Sequence, residues 1–402
     1  MTPSNDCHPA TRALHADDSL NLVNDVAPPI HLSTTFRFSS QPDQLVPSED
    51  PVDEFDGKNY VYAREFAPNA TRFERILSAL LNGHAVSYAS GLAALHAALV
   101  LLNPRRVSVG DGYHGSHEVI SVLSRLSGLK KLPLDCRAEE LSEGDVILLE
   151  TPVNPFGTAF SIEEYAAKAH SRGAYLIVDS TFGPPGLQEP FQWGADIVMH
   201  SGSKYFGGHS DMLCGVLVTK RADWLKQLFE DRLALGNVIG NMEGWLGVRS
   251  LRTLDLRVQR ASQSAGKLVA WLQTGLEAAN PAPGSEQQTV QDIVQTIYHA
   301  SLQDEPWLKR QMPNGFGPVF SIILRGEELA RNLPSRLHFF QHATSLGGVE
   351  SLIEWRALSD SRVDRSLLRI SVGLEDWEDL KGDLLQAFRT LSDSHAESNY
   401  TP

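Results

Sequence analysis

Between residues 60 and 240, short apolar runs alternate with amphipathic helical stretches, and this alternation is the feature that most constrains the fold. The run at 85–88 is typical of a strand and is followed by the Ala/Leu-rich helical stretch 91–102. Other strands are predicted at 106–109, 145–149, 174–178, 196–200 and 213–219. The alternation predicts a mainly parallel α/β sheet covered by helices on both faces, with its ligand beyond the carboxyl ends of the strands.

Two regions of different character flank this stretch. Residues 1–58 are rich in Pro, Asp and Ser and have little regular pattern, which predicts an extended N-terminal arm. After residue 240, a long helix over 242–272 is followed by mixed segments, by strands at 316–324 and 368–372, and by a helix over 377–391. We therefore expect an arm at 1–58, a large α/β domain at 59–240 and a smaller C-terminal α+β domain at 241–402.

Charge and cysteine content narrow the classes of function. The net charge of -14 argues against a nucleic-acid or anionic-membrane partner, and no apolar run reaches the roughly 18 residues of a membrane helix. The three cysteines, Cys7, Cys136 and Cys214, are widely spaced without metal-ligand pairing, which favours free thiols in a reducing compartment. The N-terminus matches neither a secretory signal nor an Arg-rich transit peptide, so we expect a cytoplasmic protein without a metal site.

Lys204 follows the predicted strand at 196–200 and lies between hydroxyl residues and a glycine pair, in the sequence Ser201-Gly202-Ser203-Lys204-Tyr205-Phe206-Gly207-Gly208. A lysine in this setting suits a Schiff base to an aldehyde cofactor, and the nearby hydroxyls suit a phosphate. Such a lysine must lose its proton to react, so it needs a desolvated site. On this motif alone, a surface-loop lysine is an equally good interpretation.

Polar residues also follow other predicted strands. Ser90, Gly91 and Leu92 begin a helix, where backbone N–H groups bind phosphate, although Ser and Gly are also ordinary helix caps. Asp179 ends the strand at 174–178 and could hold a pyridine nitrogen protonated, so that the ring acts as an electron sink; a turn cap is the alternative.

Three more residues suit the same ligand. Tyr113 could stack on a flat cofactor or transfer a proton, or be an ordinary half-buried tyrosine. Asn154 could bond a phenolate oxygen, whereas nearby Glu150 suits a supporting role. Arg369 is a charge inside an apolar strand, which suits a substrate carboxylate or an ion pair within the protein.

Taken together, these motifs resemble the cystathionine γ-synthase-like, or Cys/Met metabolism, family of fold-type I pyridoxal-phosphate enzymes. The resemblance covers nearly the whole chain in order, at 28–30, 33–36, 62–64, 90–91, 113, 150–155, 178–182, 201–211, 345–352 and 369–375. It implies a PLP-dependent transferase fold of type I, with a seven-stranded sheet in the large domain. It also implies pyridoxal 5'-phosphate as the cofactor and an assembly that is at least a homodimer and typically a homotetramer.

The resemblance implies a role for each matching residue. Lys204 would hold the cofactor and then shuttle protons, Asp179 would pair with the pyridine nitrogen, and Tyr113 would stack on the ring. The remaining roles are phosphate binding by Ser90, Gly91, Leu92, Ser201 and Ser203, contact with the ring oxygen by Asn154, and binding of the substrate carboxylate by Arg369 with Ser345. Tyr62 and Arg64 would reach the cofactor phosphate of the neighbouring subunit.

The chain departs from the family pattern around the substrate. Thr344 stands where lyases that act on cysteine-type substrates often carry Glu, and no cysteine lies near Tyr113. The segment 353–358 replaces the usual His-Pro loop in a short form that resembles fungal cystathionine γ-synthase relatives.

The resemblance implies γ-substitution on an activated homoserine such as O-acetyl-L-homoserine, through a vinylglycine ketimine. The small-molecule nucleophile would be a thiol or, with less support, a carbon nucleophile such as a β-keto acid, which the altered loop 114–118 motivates. The main alternative is a β- or γ-lyase. A third interpretation, a non-catalytic binding protein, is disfavoured by the joint presence of Lys204, Asp179, Tyr113 and Arg369.

Overall fold

The alternating segments form one large sheet in a computed structural model, which describes residues 7–21, 23–45, 47 and 60–398. Its strands in the described chain are β1 (His84–Tyr88), β2 (Arg106–Val109), β3 (Lys130–Pro133), β4 (Val146–Glu150), β5 (Tyr175–Asp179), β6 (Ile197–Ser201) and β7 (Gly215–Thr219). They pair in the order β1-β7-β6-β5-β4-β2-β3. The pairs from β6 to β3 are parallel, whereas β7 is antiparallel to both of its neighbours. The expected mainly parallel, seven-stranded sheet is confirmed.

Alternating side chains along the strands bury both faces of this sheet. On β5, Leu176 and Val178 belong to one apolar cluster, whereas Ile177 between them belongs to another. This two-residue period is what a strand with helices on both faces requires. The described α-helices up to residue 277 are α1 (Pro9–His15), α2 (Pro68–Leu81), α3 (Gly91–Leu102), α4 (His114–Ser127), α5 (Ile162–His170), α6 (Ala222–Leu235), α7 (Asn241–Leu251) and α8 (Leu254–Glu277).

The C-terminal part forms a second sheet with its own apolar core. Its elements are α9 (Glu286–Ile293), β8 (Val294–Tyr298), α10 (Leu308–Gln311), β9 (Val319–Leu324), α11 (Glu327–Asn332), β10 (Gln341–His342), β11 (Leu352–Trp355), β12 (Leu367–Ser371) and α12 (Trp377–Ser398). The strands pair in the order β10-β11-β12-β9-β8. This is the expected α+β arrangement; the domain limits at 58 and 240 stay a prediction.

The prediction of one long helix over 242–272 was wrong, because the chain forms two helices, α7 and α8, with a break at residues 252–253. The buried guanidinium of Arg257 donates to the carbonyl oxygens of Ser250 at 2.9 Å and Tyr205 at 2.9 Å. A continuous helix would use the Ser250 carbonyl for its own ladder, so this side chain stabilises the break. Arg257 therefore links the break between α7 and α8 to Tyr205, the residue that follows Lys204.

The N-terminal arm is more regular than its composition predicts, since α1 lies within it. A proline at the first turn and the His8 side chain, which accepts from Ala10 N, begin this helix. The arm docks on α2 through a buried ion pair, Arg72 Nη1 to Asp17 Oδ2, at 2.8 Å. The parts of the predicted arm at 1–6, 22, 46 and 48–58 lie outside the described residues.

The described residues include no helix that is both long and apolar enough to cross a membrane. Among the same residues, no group of three or more His, Cys, Asp or Glu side chains is arranged to hold a metal ion.

Candidate active site

The strand ends converge on one cavity of about 340 Å³. It lies beyond the carboxyl ends of β4, β5 and β6 and is closed by the segment 344–346 and by side chains from β11 and β12. Its walls include nearly all of the predicted site residues, namely Ser90, Gly91, Leu92, Tyr113, Asn154, Asp179, Ser201, Ser203, Lys204, Ser345 and Arg369. The two exceptions are Tyr62 and Arg64.

Lys204 is held in this cavity by the C-terminal part of the chain. Its Nζ donates to Ser345 Oγ at 2.8 Å. Ser345 has a left-handed backbone with φ of 78°, a conformation that costs about 1–3 kcal/mol in a residue other than glycine. Burial, reinforced by the positive charge of Arg369, lowers the pKa of Lys204 to about 8, while Glu354 opposes the shift. The site therefore favours the neutral, nucleophilic amine far more than water does.

The lowered pKa of Lys204 predicts how cofactor capture depends on pH. Only the neutral amine attacks an aldehyde, so the rate at which cofactor-free protein takes up pyridoxal phosphate is expected to rise about tenfold from pH 7 to pH 9 and then level off. Glu354→Gln removes the charge that raises this pKa, so its midpoint is expected at lower pH. Stopped-flow absorbance measures both. A wild-type rate still climbing beyond pH 10, or an unmoved midpoint in Glu354→Gln, would contradict the assignment.

Asp179 lies next to Glu150 at the carboxyl ends of β5 and β4, where the two residues are paired across the strands. Burial raises the pKa of Asp179, although hydrogen bonds from Thr181 oppose this. Burial and the neighbouring Asp179 raise the pKa of Glu150 to about 8. The hydrogen bonds that Asp179 accepts from Thr181 favour its ionised form, which would pair with a protonated ring nitrogen.

Thr181 orients Asp179 and was not among the predicted site residues. Its backbone N and Oγ1 donate to Asp179 Oδ1 at 3.0 and 2.5 Å, and its Oγ1 accepts from Ser201 N at 2.9 Å. Both bonds to Asp179 use Oδ1, so Oδ2 is the oxygen left for a ligand. The spacing Asp-x-Thr after a strand is the signal that could have identified this residue.

Glu150 positions two predicted site residues through their backbones. Its Oε2 accepts from Tyr113 N and its Oε1 accepts from Asn154 N, both at 2.7 Å. Gly112 allows this approach, because a Cβ there would lie 2.1 Å from Glu150 Oε2. The Tyr113 ring is 37 % exposed and lines the cavity. Burial, with help from Glu118 and Glu150, raises the pKa of its phenol, so the phenol stays protonated at neutral pH.

The start of α3 provides backbone N–H groups at the other end of the cavity. The Ser90 side chain accepts from Ala93 N at 3.1 Å and so acts as a helix cap, which is the alternative that the sequence left open. Gly91 packs against Ser201, and a Cβ at this glycine would lie 3.1 Å from that of the serine. Ser203 Oγ is already bonded to the backbone of Cys214. The α3 N-terminus and Ser201 are therefore the better-placed groups for an anion.

Arg369 forms an ion pair within the protein, the alternative interpretation of its sequence position. Its Nη2 lies 2.5 Å from Glu354 Oε2 on the adjacent strand β11. It also donates to Asn154 Oδ1 at 2.9 Å and to the Ser345 carbonyl oxygen at 2.7 Å. Asn154 and Ser345 thus hold the guanidinium at the cavity wall, and a substrate carboxylate would compete with Glu354 for it.

Glu354 and Arg356 are cavity residues that the sequence reasoning did not assign. Arg356 Nη1 donates to both oxygens of Glu354 at 3.1 Å, so one buried carboxylate is shared by two buried guanidinium groups. Ser359 Oγ donates to Glu354 Oε1 at 2.5 Å. The available signal was the pair of charges next to the apolar residues 352–353, in the segment that departs from the family pattern.

Tyr62 and Arg64 lie elsewhere on this chain. Arg64 Nη1 donates to the Leu233 carbonyl oxygen on α6 at 2.7 Å, and the guanidinium lies 5.6 Å from the centre of the Tyr62 ring. Tyr62 is 43 % exposed. Their expected contact with a neighbouring subunit's cofactor stays a prediction.

The cavity fits pyridoxal phosphate. It combines a buried lysine of lowered pKa, an oriented carboxylate, a helix N-terminus for the phosphate and an aromatic ring within about 340 Å³. These features define a pyridoxal-phosphate enzyme of fold type I. The family model described as Cys/Met metabolism PLP-dependent enzyme matches residues 10–389, and the chain belongs to this family.

Individual relatives cover nearly the whole chain. A cystathionine gamma-lyase of Saccharomyces cerevisiae is 32 % identical over 94 % of this chain and 97 % of its own length. A cystathionine gamma-synthase of Escherichia coli is 32 % identical over 91 % of this chain and 94 % of its own. The crystal structure of metB from Corynebacterium glutamicum superimposes with a TM-score of 0.83, at 29 % identity over 96 % of this chain and 99 % of that one. Synthases and lyases are thus equally similar.

Proposed function

We propose that the protein catalyses γ-substitution on an activated L-homoserine such as O-acetyl-L-homoserine. The Cγ–O bond of the donor breaks and acetate leaves; a thiol loses its proton and its sulfur bonds to Cγ. A β-keto acid, reacting through carbon, is the less supported acceptor. Thr344 is the observation that leads us to propose substitution instead of elimination. It lines the cavity as a neutral side chain at the position where lyases of the family often carry a carboxylate.

We assign substrate binding and proton transfer to different residues of the cavity. Arg369, positioned by Asn154 and Ser345, holds the donor carboxylate once that carboxylate displaces Glu354. Lys204 takes the proton from Cα and then moves a proton at Cβ, since its amine is released when the donor binds. The Tyr113 phenol, protonated at neutral pH, can donate to the leaving oxygen. Bound pyridoxal phosphate supplies the electron sink that makes the Cα and Cβ protons acidic.

A β- or γ-lyase activity is the second candidate, favoured by the 32 % identity to a cystathionine gamma-lyase. The two reactions differ in what they release. We expect the holoenzyme, supplied with O-acetyl- or O-succinyl-L-homoserine and a thiol or β-keto acid, to form a new amino acid whose mass contains the acceptor. Ammonia and a 2-oxo acid formed at the same rate with and without an acceptor would identify a lyase and reject the proposal.

The assembly is proposed to be at least a homodimer, and a homotetramer by analogy with the family. Apolar side chains of the arm are exposed in the single chain, with Val26 at 95 % and Phe38 at 72 %. Their exposure supports the proposal that a second subunit covers this part of the arm. Tyr62 and Arg64 would then reach the second subunit's site. A cytoplasmic location is proposed from Cys136 and Cys214, which are buried thiols outside any disulfide.

A further inference from the structure

Arg356 has donors without a hydrogen-bond partner among the described residues. Its side chain is 4 % exposed and lines the cavity, and its Nε is buried without a hydrogen-bond partner among the described residues. Its Nη2 lies 3.8 Å from Asp360 Oδ2, beyond hydrogen-bond distance, and Asp360 is bonded at 2.9 Å to Arg362 instead. A buried guanidinium with an unpaired donor is costly unless a ligand completes its bonds.

Arg356 is the second buried guanidinium of the cavity. Arg369 is bonded to Asn154 and to the Ser345 carbonyl oxygen as well as to Glu354, whereas the Arg356 side chain is hydrogen-bonded to Glu354 alone among the described residues. Since Arg369 is proposed to hold the donor carboxylate, Arg356 is the cavity guanidinium left for a second anion.

We propose that Arg356 determines acceptor specificity by binding a carboxylate of the incoming nucleophile. The inference rests on the proposed γ-substitution. Arg369 would hold the donor carboxylate, while Ser359 and the Arg356 Nη1 group retain Glu354. The Nη2 group of Arg356, for which no hydrogen bond is made among the described residues, then receives the acceptor.

The charge balance of the site favours an anionic acceptor. Arg356 and Arg369 share the single Glu354 carboxylate, so a second carboxylate in the cavity would complete their pairing. A neutral acceptor would pair with neither guanidinium in this buried site.

The test uses two thiols of the same size, 3-mercaptopropionate and 3-mercaptopropanamide, with saturating O-acetyl-L-homoserine. Arg356→Gln is expected to lower kcat/KM for the carboxylate thiol by about 10- to 100-fold and for the amide thiol by less than about threefold. Loss of the Arg356–Glu354 bonds affects donor binding equally for both thiols, so the ratio of the two kcat/KM values is the readout that reports acceptor binding. Arg356→Lys, which keeps the charge, should recover part of the preference.

Arg362→Gln is the matched control, because Arg362 belongs to the same segment and pairs with Asp360 but does not line the cavity. The thermal unfolding temperature of Arg356→Gln, compared with that of Arg362→Gln, guards against misfolding. Equal losses for the two thiols would overturn the inference and leave Arg356 a positioning residue. Wild-type enzyme that releases ammonia from the donor but substitutes neither thiol would instead reject the proposed function.

Discussion

Alanine at position 204 is expected to abolish covalent cofactor binding and to lower turnover of any amino-acid substrate by about 10³-fold or more. Lys204 is proposed as both the attachment point and the proton carrier, and positioned acid–base groups alone contribute about 10²–10⁴-fold. Borohydride reduction followed by mass spectrometry measures the attachment. Wild-type protein should gain the mass of one cofactor on the peptide that contains Lys204, and Lys204→Ala should gain none.

Lys220→Ala serves as the control for this experiment. Lys220 follows β7, is exposed, and lies 5.1 Å from the centre of the Phe191 ring, outside the cavity. It should retain both the cofactor mass and full activity. Cofactor still attached to Lys204→Ala would show that another lysine is the reactive one.

Removing the charge of Asp179 is expected to have the second-largest effect. Asp179→Asn keeps the size of the side chain and an acceptor for Thr181 but cannot hold a ring nitrogen in its protonated form. Losing one partner of a buried charge pair costs about 2–5 kcal/mol. This corresponds to a fall in kcat of roughly 30-fold to several thousand-fold. The fall should also be seen in α-proton exchange, which precedes the choice between substitution and elimination.

Asp196→Asn separates a loss of chemistry from a loss of folding. Asp196 precedes β6, at the amino ends of the strands and away from the cavity. Its carboxylate accepts from Leu176 N at 2.7 Å and bonds His170 at 2.9 Å. Its replacement can affect stability but not the ring nitrogen. If α-proton exchange by Asp179→Asn stayed within about threefold of wild type, the electron-sink role of this carboxylate would be wrong.

The central sheet and most of the cavity were predictable because both follow from local pattern and topology. Short apolar runs specify strands, and parallel strands present their carboxyl ends at one edge, so Asp179, Asn154 and Lys204 had to lie close together. The role of each residue came from the resemblance to a family rather than from the pattern alone.

The residues that complete the site were not predictable, because they depend on contacts between distant parts of the chain. The Lys204–Ser345 bond joins residues 141 positions apart. The break between α7 and α8 depends on Arg257 reaching the Tyr205 carbonyl, 52 positions away. The Glu354–Arg369 pair needs the register of β11 against β12, which the sequence around either strand does not specify. Helical and strand periodicity report which face is buried, not which charges meet there.

The central claim, γ-substitution that proceeds through loss of protons at Cα and Cβ, is tested most directly by isotope incorporation. The holoenzyme would be incubated with O-acetyl-L-homoserine and a thiol in D₂O, and the products analysed by mass spectrometry and NMR. We predict a new amino acid with the thiol sulfur on Cγ and deuterium at both Cα and Cβ. A substituted product without deuterium at Cβ, or release of ammonia and a 2-oxo acid without any thiol product, would contradict it.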